Sequence, residues 1–351
     1  MQNTNPSLPP VGVIFDSDMG NTIDDALALA MLHALSESQE PEIRLVAVSV
    51  SKPNLQAAVF CDAVGGFYSE YAQVNFPPEY RRRRTLPVAL ADHGPTPDDT
   101  PLLTATLSLR NAKGELRYPA GIRRLTDTAE VGALIRNALT AQHDQNGVVV
   151  LTGPATNLVR VLDVRGAREI IERKVRLLCV AAGSFPSGAP DPHIKADVSA
   201  ARRLFAEWPS PVVAAGREIG EAVLYPAASI ERDFAWASHH PIVDAYRAAG
   251  PMPYDAPTWA LVPVLHSARP GHGYFRLSEP GAIVVDEDGR TGFAPSAGGR
   301  HRYLVLDPSA RERVLQAYIE LVSAQPAPRE VPDFIKRQIE EDAKRPKQQT
   351  R

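Results

Sequence analysis

The apolar run Val11-Gly12-Val13-Ile14-Phe15 leads without a break into Asp16-Ser17-Asp18-Met19-Gly20-Asn21-Thr22-Ile23-Asp24-Asp25. A short apolar run bounded by turn residues reads as a buried strand, and the following Ala26-Leu27-Ala28-Leu29-Ala30-Met31-Leu32 reads as a helix. The four carboxylates therefore occupy a strand-to-helix turn at the carboxyl end of a strand, where open α/β sheets place their ligands. Asp16 and Asp18 lie two apart on an extended segment and project the same way. Asp24 and Asp25 open the helix, where its dipole favours negative charge, so a plain capping role accounts for those two. It does not account for Asp16 and Asp18, because carboxylates at the end of a buried strand need a partner. A hard divalent cation with oxygen ligands meets that need, with Asp18 and Asp25 converging on it and a third carboxylate turned toward a ligand hydroxyl.

The rest of the chain repeats the same alternation. Ile43–Val50 reads as a strand, Leu55 to about Phe67 as a helix, Ala129–Gln142 as a helix and Val148–Thr152 as a strand. Further strands are expected at Val175–Ala181 and Val212–Ala215, with a helix at Val198–Trp208 between them. Alternating βαβα patterns predict a mostly parallel sheet with helices on both faces. The Pro-rich segment Asn75–Leu125 shows little periodicity and is expected to hold loops and one short helix. Beyond Pro226, helices are expected at Val243–Ala249, Pro257–Arg269 and Ala310–Gln325, and short strands at Gly281–Asp286 and Arg302–Leu306. The expected architecture is a single α/β domain over residues 10–325, with a Rossmann-like central sheet and a C-terminal elaboration. Residues 326–351, rich in Pro, Lys, Glu and Gln, form a polar tail expected on the surface or disordered.

Composition matters here mainly for what it excludes. A net charge of −3 over 351 residues argues against a general nucleic-acid or anionic-membrane binder, and no apolar stretch approaches a membrane span. The run Arg81-Arg82-Arg83-Arg84 is the local exception and reads as a solvated loop. Cys61 and Cys179 lie in apolar surroundings without metal-ligand spacing and read as buried thiols. The N-terminus lacks a signal pattern, so a cytoplasmic protein is the expectation. His239-His240, Phe234, Trp236 and Trp259 read as packing residues, and His93 sits in a loop long enough to form a lid.

Four segments carry a family resemblance. Asp16 through Leu29 resembles the N-terminal signature of the calcium-dependent nucleoside hydrolases, the inosine–uridine-preferring N-ribohydrolase family. Ala47 through Asn54 resembles that family's second strand, ending in a ribose-binding Asn, and Val149 through Asn157 is similar to the strand whose Thr offers a carbonyl to calcium. Asp191-Pro192-His193-Ile194-Lys195-Ala196-Asp197 resembles its Glu-aromatic-Asn substrate segment. The resemblance implies hydrolysis of the N-glycosidic bond of a ribonucleoside, the substrate being a small molecule and the protein a dimer or tetramer. It implies that Asp18 ligates calcium and takes a proton from the attacking water. Asp25 and the Thr152 carbonyl would complete the calcium ligands, and Asp24, Asn54, Asp191 and His193 would bind the sugar.

The chain departs from the family at an expected metal ligand, and the Asn expected ahead of Asp191 is also missing from Ser184-Phe185-Pro186-Ser187-Gly188. Where the family has Asp in a His-Asp or Trp-Asp step before an apolar helix, this sequence reads Trp259-Ala260. Asp255, five residues upstream, is the nearest carboxylate that could reach inward. Charge count tunes calcium affinity, so a catalytically degenerate, nucleoside- or sugar-binding homologue with a weakened metal site is the alternative. A third reading, phosphoryl transfer with Asp16 as nucleophile and Asp18 as acid, would suit an Asp-x-Asp at a strand end but lacks a later Gly-Asp pair.

Overall fold

The structure is a computed structural model that describes residues 9–83, 86–186 and 188–344. Its centre is one ten-stranded sheet. The strands are β1 (Val11–Ser17), β2 (Ile43–Val50), β3 (Val88–Leu90), β4 (Gly147–Leu151) and β5 (Val175–Ala181). They continue as β6 (Val212–Ala215), β7 (Arg276–Leu277), β8 (Gly281–Val285), β9 (Thr291–Pro295) and β10 (His301–Val305). Across the sheet the order is β3-β2-β1-β4-β5-β6-β10-β8-β9, with β7 pairing β10. All pairs from β3 through β6 to β10 are parallel, and only the β7, β8 and β9 additions run antiparallel. The expected parallel sheet and its C-terminal elaboration are therefore both present.

This order has a functional consequence. From β1 the chain builds outward to β2 and β3 on one side, then crosses to β4, β5 and β6 on the other. The strand order thus reverses between β1 and β4, and in open α/β sheets ligands bind at such a switch point, outside the carboxyl ends. The acidic turn follows β1, and Thr152 follows β4. Both flank that crevice.

The first helix, α1 (Ile23–Ser36), anchors the end of the turn in the core. Every residue from Ile23 to Leu35 is buried. A helix apolar on all sides belongs in a core, and each fully buried Leu or Met contributes about 1.5–3 kcal/mol of transfer free energy. Packing of α1 against the helix Leu261–Ala268 and the helix Arg311–Val322 fixes the direction of its N-terminus. Asp24 and Asp25 lie in that first turn.

Element boundaries mostly match the periodicity. The helix α2 runs further than expected, Leu55–Ala72, and the helix before β4 is shorter, Val131–Thr140. The Pro-rich segment holds the helix Pro101–Ser108 and also β3, three residues long. Part of the polar tail forms a helix, Asp333–Lys344, lying largely exposed on the surface. Cys61 and Cys179 are buried free thiols. His240 is buried, accepts from the Ile242 amide at 3.2 Å and packs edge-on against Phe67, Phe234 and Trp236, so it serves packing. In the arginine run, Arg81 to Arg83 are held by carbonyls and, for Arg83, by Asp62, while Arg84 lies outside the described residues. Among the described residues no helix is long and apolar enough to cross a membrane.

Candidate active site

All four carboxylates of the acidic turn are buried, none more than 4 % exposed. Each is held differently. Asp16, last but one in β1, accepts through Oδ2 from the Ser49 hydroxyl on β2 and from Asn157 Nδ2 at 2.9 Å. Asp25 accepts through Oδ1 from Ser17 Oγ at 2.8 Å and Thr152 Oγ1 at 2.6 Å. Strand alternation explains the first of these: Ser17 points opposite to Asp16 and so meets α1. Asp18 Oδ2 accepts from Asn21 Nδ2 at 2.7 Å, and His193 Nε2 stands 3.8 Å from the same oxygen. Asp24 Oδ2 accepts from the Ala260 amide at 2.8 Å.

Two glycines allow this convergence. Gly153, just after β4, lies so close to the turn that a Cβ would sit 2.6 Å from the Asp18 amide nitrogen and 2.8 Å from Ser51 Oγ. Gly20, inside the turn, has φ +98°, which side-chain-bearing residues rarely adopt.

Burial without full pairing shapes the electrostatics. Desolvation raises the Asp16 carboxyl from 3.8 to about 7, against the pull of Ser49 and Asn157. It raises Asp25 well above the usual carboxylate range, reinforced by the charges of Asp18 and Asp24, and it raises Asp24 despite bonds from Thr22 and Ala260. For His193, burial opposes the charged ring, but Asp18, Asp191 and Asp24 outweigh it, so its pKa is raised. Asp16 Oδ1, Asp18 Oδ1 and Asp24 Oδ1 are buried without a hydrogen-bond partner. Such oxygens call for a proton, a ligand or a cation.

The residues expected to bind sugar are placed unequally. His193 faces Asp18 directly, with its Nδ1 3.3 Å from the Ala181 carbonyl. Asp191 starts the short helix Pro192–Ala196, and its oxygens accept from the amides of His193, Ile194 and Gly183. It thereby holds His193 at the end of β5. Asn54 caps α2 by accepting from Gln56 N at 2.8 Å, and its Nδ2 donates to the Pro97 carbonyl and Asp99 Oδ1. Asn54 is thus turned toward the loop that carries Thr96. Asp255 does not reach inward. It is exposed and accepts from Ala227 N at 2.9 Å, bracing the helix Ala227–Arg232.

Several contributors were not singled out in the sequence: Ser17, Asn21, Ser49, Lys52, Thr96 and Asn157. Lys52 had a signal of the same kind as the acidic turn, a charged residue directly behind a buried strand. On the far side, Trp259 lies under the Arg217 guanidinium, 4.2 Å from the ring centroid, and its indole Nε1 is buried without a partner.

The donor set is all oxygen, which suits a hard cation such as calcium or magnesium. The Thr152 hydroxyl donates to Asp25 Oδ1, and Asp18 retains a buried, unpartnered oxygen. Among the described residues no three His, Cys, Asp or Glu side chains are grouped as a metal site, and Ala260 supplies no carboxylate. The chemistry of these oxygens fits a hard cation, to which position 260 would add no charge.

The model of the inosine-uridine preferring nucleoside hydrolases matches residues 13–298. The chain belongs to that family. Nucleoside hydrolase membership makes it an N-glycosyl hydrolase acting on ribonucleosides in general terms. Solved structures agree on the fold. A plant nucleoside hydrolase, PpNRh1, superposes with a TM-score of 0.60 at 20 % identity, covering 90 % of this chain and 100 % of that one. The inosine-uridine preferring nucleoside hydrolase of Bacillus anthracis gives 0.60 at 16 % identity, covering 89 % and 99 %. The purine-preferring ribonucleoside hydrolase of Gardnerella vaginalis gives 0.61 at 18 % identity, covering 89 % and 98 %. No curated protein matches the chain by sequence.

Proposed function

We propose that the chain cleaves a ribonucleoside to free base and ribose, with Asp18 taking a proton from the attacking water. The observation that carries this reading is the buried, unpartnered Asp18 Oδ1 in the acidic turn, which also holds the unpartnered Asp24 Oδ1. As the bond to the base breaks, its electron pair leaves with the base and the ribosyl centre becomes oxocarbenium-like, a charge that surrounding anionic oxygens stabilise. Asp18 Oδ1 receives the water proton, and Asp24 Oδ1 accepts a ribose hydroxyl. His193 contributes a hydrogen-bonding edge to the same sugar, while Asp191 and Asn54 hold the flanking segments. Asp18, Asp25 and the Thr152 carbonyl would hold calcium. When bound there, a divalent cation lowers the pKa of its water toward neutrality. A dimeric or tetrameric, cytoplasmic protein of nucleoside salvage is the setting this reading fits.

The test is ribose release from a panel of purine and pyrimidine nucleosides with excess calcium, repeated in chelator. Asp18→Asn should lower turnover by about 10²–10⁴-fold, the usual contribution of a general base, while calorimetry still records nucleoside binding. A second reading rests on Ala260: the protein binds a nucleoside or sugar but no longer turns it over. Calorimetric binding that is indifferent to chelator, with no ribose released, would favour it over the first.

A further inference from the structure

Lys52 follows β2 by two residues and is only 1 % exposed, among the largest fully buried side chains of the molecule. A buried ammonium needs partners. Lys52 Nζ donates to Asn21 Oδ1 at 2.8 Å and to the Thr96 carbonyl at 2.6 Å. An ammonium has three donors and no acceptor, so it tolerates only the oxygen end of the Asn21 amide. That choice turns the nitrogen end the other way, where Nδ2 donates to Asp18 Oδ2 at 2.7 Å and to Thr96 Oγ1 at 2.9 Å. With the amide reversed, two donors would face each other and Asp18 Oδ2 would meet an acceptor. Lys52 therefore decides which end of Asn21 touches Asp18.

A second observation points to the same triangle. Thr96 has φ +56°, a left-handed backbone that is a genuine outlier for a β-branched residue. Strain of this kind persists only where the surroundings over-determine it. Here they do: the Thr96 carbonyl is claimed by Lys52 and its hydroxyl by Asn21. The same loop is tied on by Asn54 to Pro97 and Asp99, and by the Thr100 hydroxyl donating to the Gly20 carbonyl at 2.7 Å.

We propose that Lys52 is a positioning residue for the hydrolysis proposed above. Through Asn21 it commits Asp18 Oδ2 as an acceptor, leaves Oδ1 as the oxygen that takes the water proton, and fastens the Thr96 loop to the acidic turn. Its action on the reaction rests on the hydrolase reading; its action on Asn21 and the loop does not.

The experiment compares wild type, Lys52→Met, Lys52→Arg, Asn21→Ala and the Lys52→Met/Asn21→Ala double variant. Lys52→Met should lower kcat about tenfold to a hundredfold with KM little changed, because a misaligned reacting group costs about that much. Lys52→Arg, which keeps donors facing Asn21, should recover part of the loss. The double variant should be no slower than Asn21→Ala alone, since Lys52 acts through Asn21. Hydrogen exchange should quicken in residues 92–100 of Lys52→Met and stay unchanged in the strands. Additive losses in the double variant, a rise in KM without a fall in kcat, or unaltered exchange in the loop would each overturn the proposal. If Lys52→Met does not fold, Lys52→Gln carries the same test, because its amide no longer dictates the orientation of Asn21. A wild-type protein that releases no ribose overturns the hydrolase reading instead, and loop exchange then decides the Lys52 geometry by itself.

Discussion

The acidic turn after β1 and the Trp259-Ala260 step before the helix Leu261–Ala268 meet at one carboxylate, Asp24, and are built on opposite terms. The turn concentrates charge and surrounds it with fixed donors: Ser17 and Thr152 on Asp25, Ser49 and Asn157 on Asp16, Asn21 on Asp18. The step opposite offers no charge, only the Ala260 amide 2.8 Å from Asp24 Oδ2. That amide begins a helix, whose end carries partial positive charge, so it satisfies Asp24 as a neutral dipole would. The contrast separates two properties that a metal-dependent hydrolase usually has together. Placement of the carboxylates belongs to the turn and to the buried α1 behind it. On the reading proposed above, the strength of cation binding would depend on the far side, where Ala260 brings only its amide to Asp24.

Restoring charge there gives the largest expected effect. Ala260→Asp should tighten calcium binding by about tenfold to a hundredfold, since ligand charge count sets affinity in such sites. Calorimetric titration reads it directly. In chelator the same variant should be less stable than wild type by about 1–3 kcal/mol, because a further carboxylate is buried beside Asp24 without a partner. An unchanged dissociation constant would mean that position 260 does not face the cation, and the division of labour between turn and step would be lost.

A smaller effect is expected on the turn side. Asp16 is raised from 3.8 to about 7 by burial, so in cation-free protein the folded state holds a proton that the unfolded chain has released. The stability contributed by that neutral acid is complete below pH 3.8 and is lost as pH rises through about 7. Asp16→Asn cannot ionise and should escape this loss. Between pH 5 and pH 8 in chelator, wild type should lose on the order of 2 kcal/mol from this group while Asp16→Asn loses none of it. Urea titrations at the two pH values measure the difference. Equal slopes would show that Asp16 is ionised in the folded protein throughout, held so by Ser49 and Asn157.

How far the sequence disclosed this arrangement depends on what each residue contacts. The turn and α1 were legible because a strand period and a helix period meet there, and because four carboxylates in ten residues need an explanation. The Asp25 bond to Thr152 was not, since it depends on β4 lying beside β1, which only the strand order reveals. Strand β3 is three residues inside a Pro-rich segment, too short for any period to register. Lys52 is a charge behind a buried strand whose partners, Asn21 and Thr96, lie 31 and 44 residues away in sequence. Asp191 and Asn54 show the converse. Their positions match the family's sugar-binding segments, and in the structure their oxygens also accept from backbone amides at helix starts. A carboxylate or amide before a helix looks the same in sequence whether it caps or binds.

Asp255 provides the smallest and cleanest check on the contrast between the two sides. In sequence it was the one carboxylate near enough to stand in for the missing ligand at position 260, and a compensating Asp255 would make the far side charged after all. In the structure it is exposed and accepts from the Ala227 amide at 2.9 Å, outside the carboxylate cluster. Asp255→Ala should therefore leave calcium affinity unchanged. It should cost about 0.5–1 kcal/mol of stability, the ordinary worth of one side-chain bond to a helix-end amide. Calorimetry and thermal unfolding on the same sample separate the two quantities. A loss of calcium affinity without loss of stability would place Asp255 at the cation, and the far side would then carry charge from a residue the helix start does not explain.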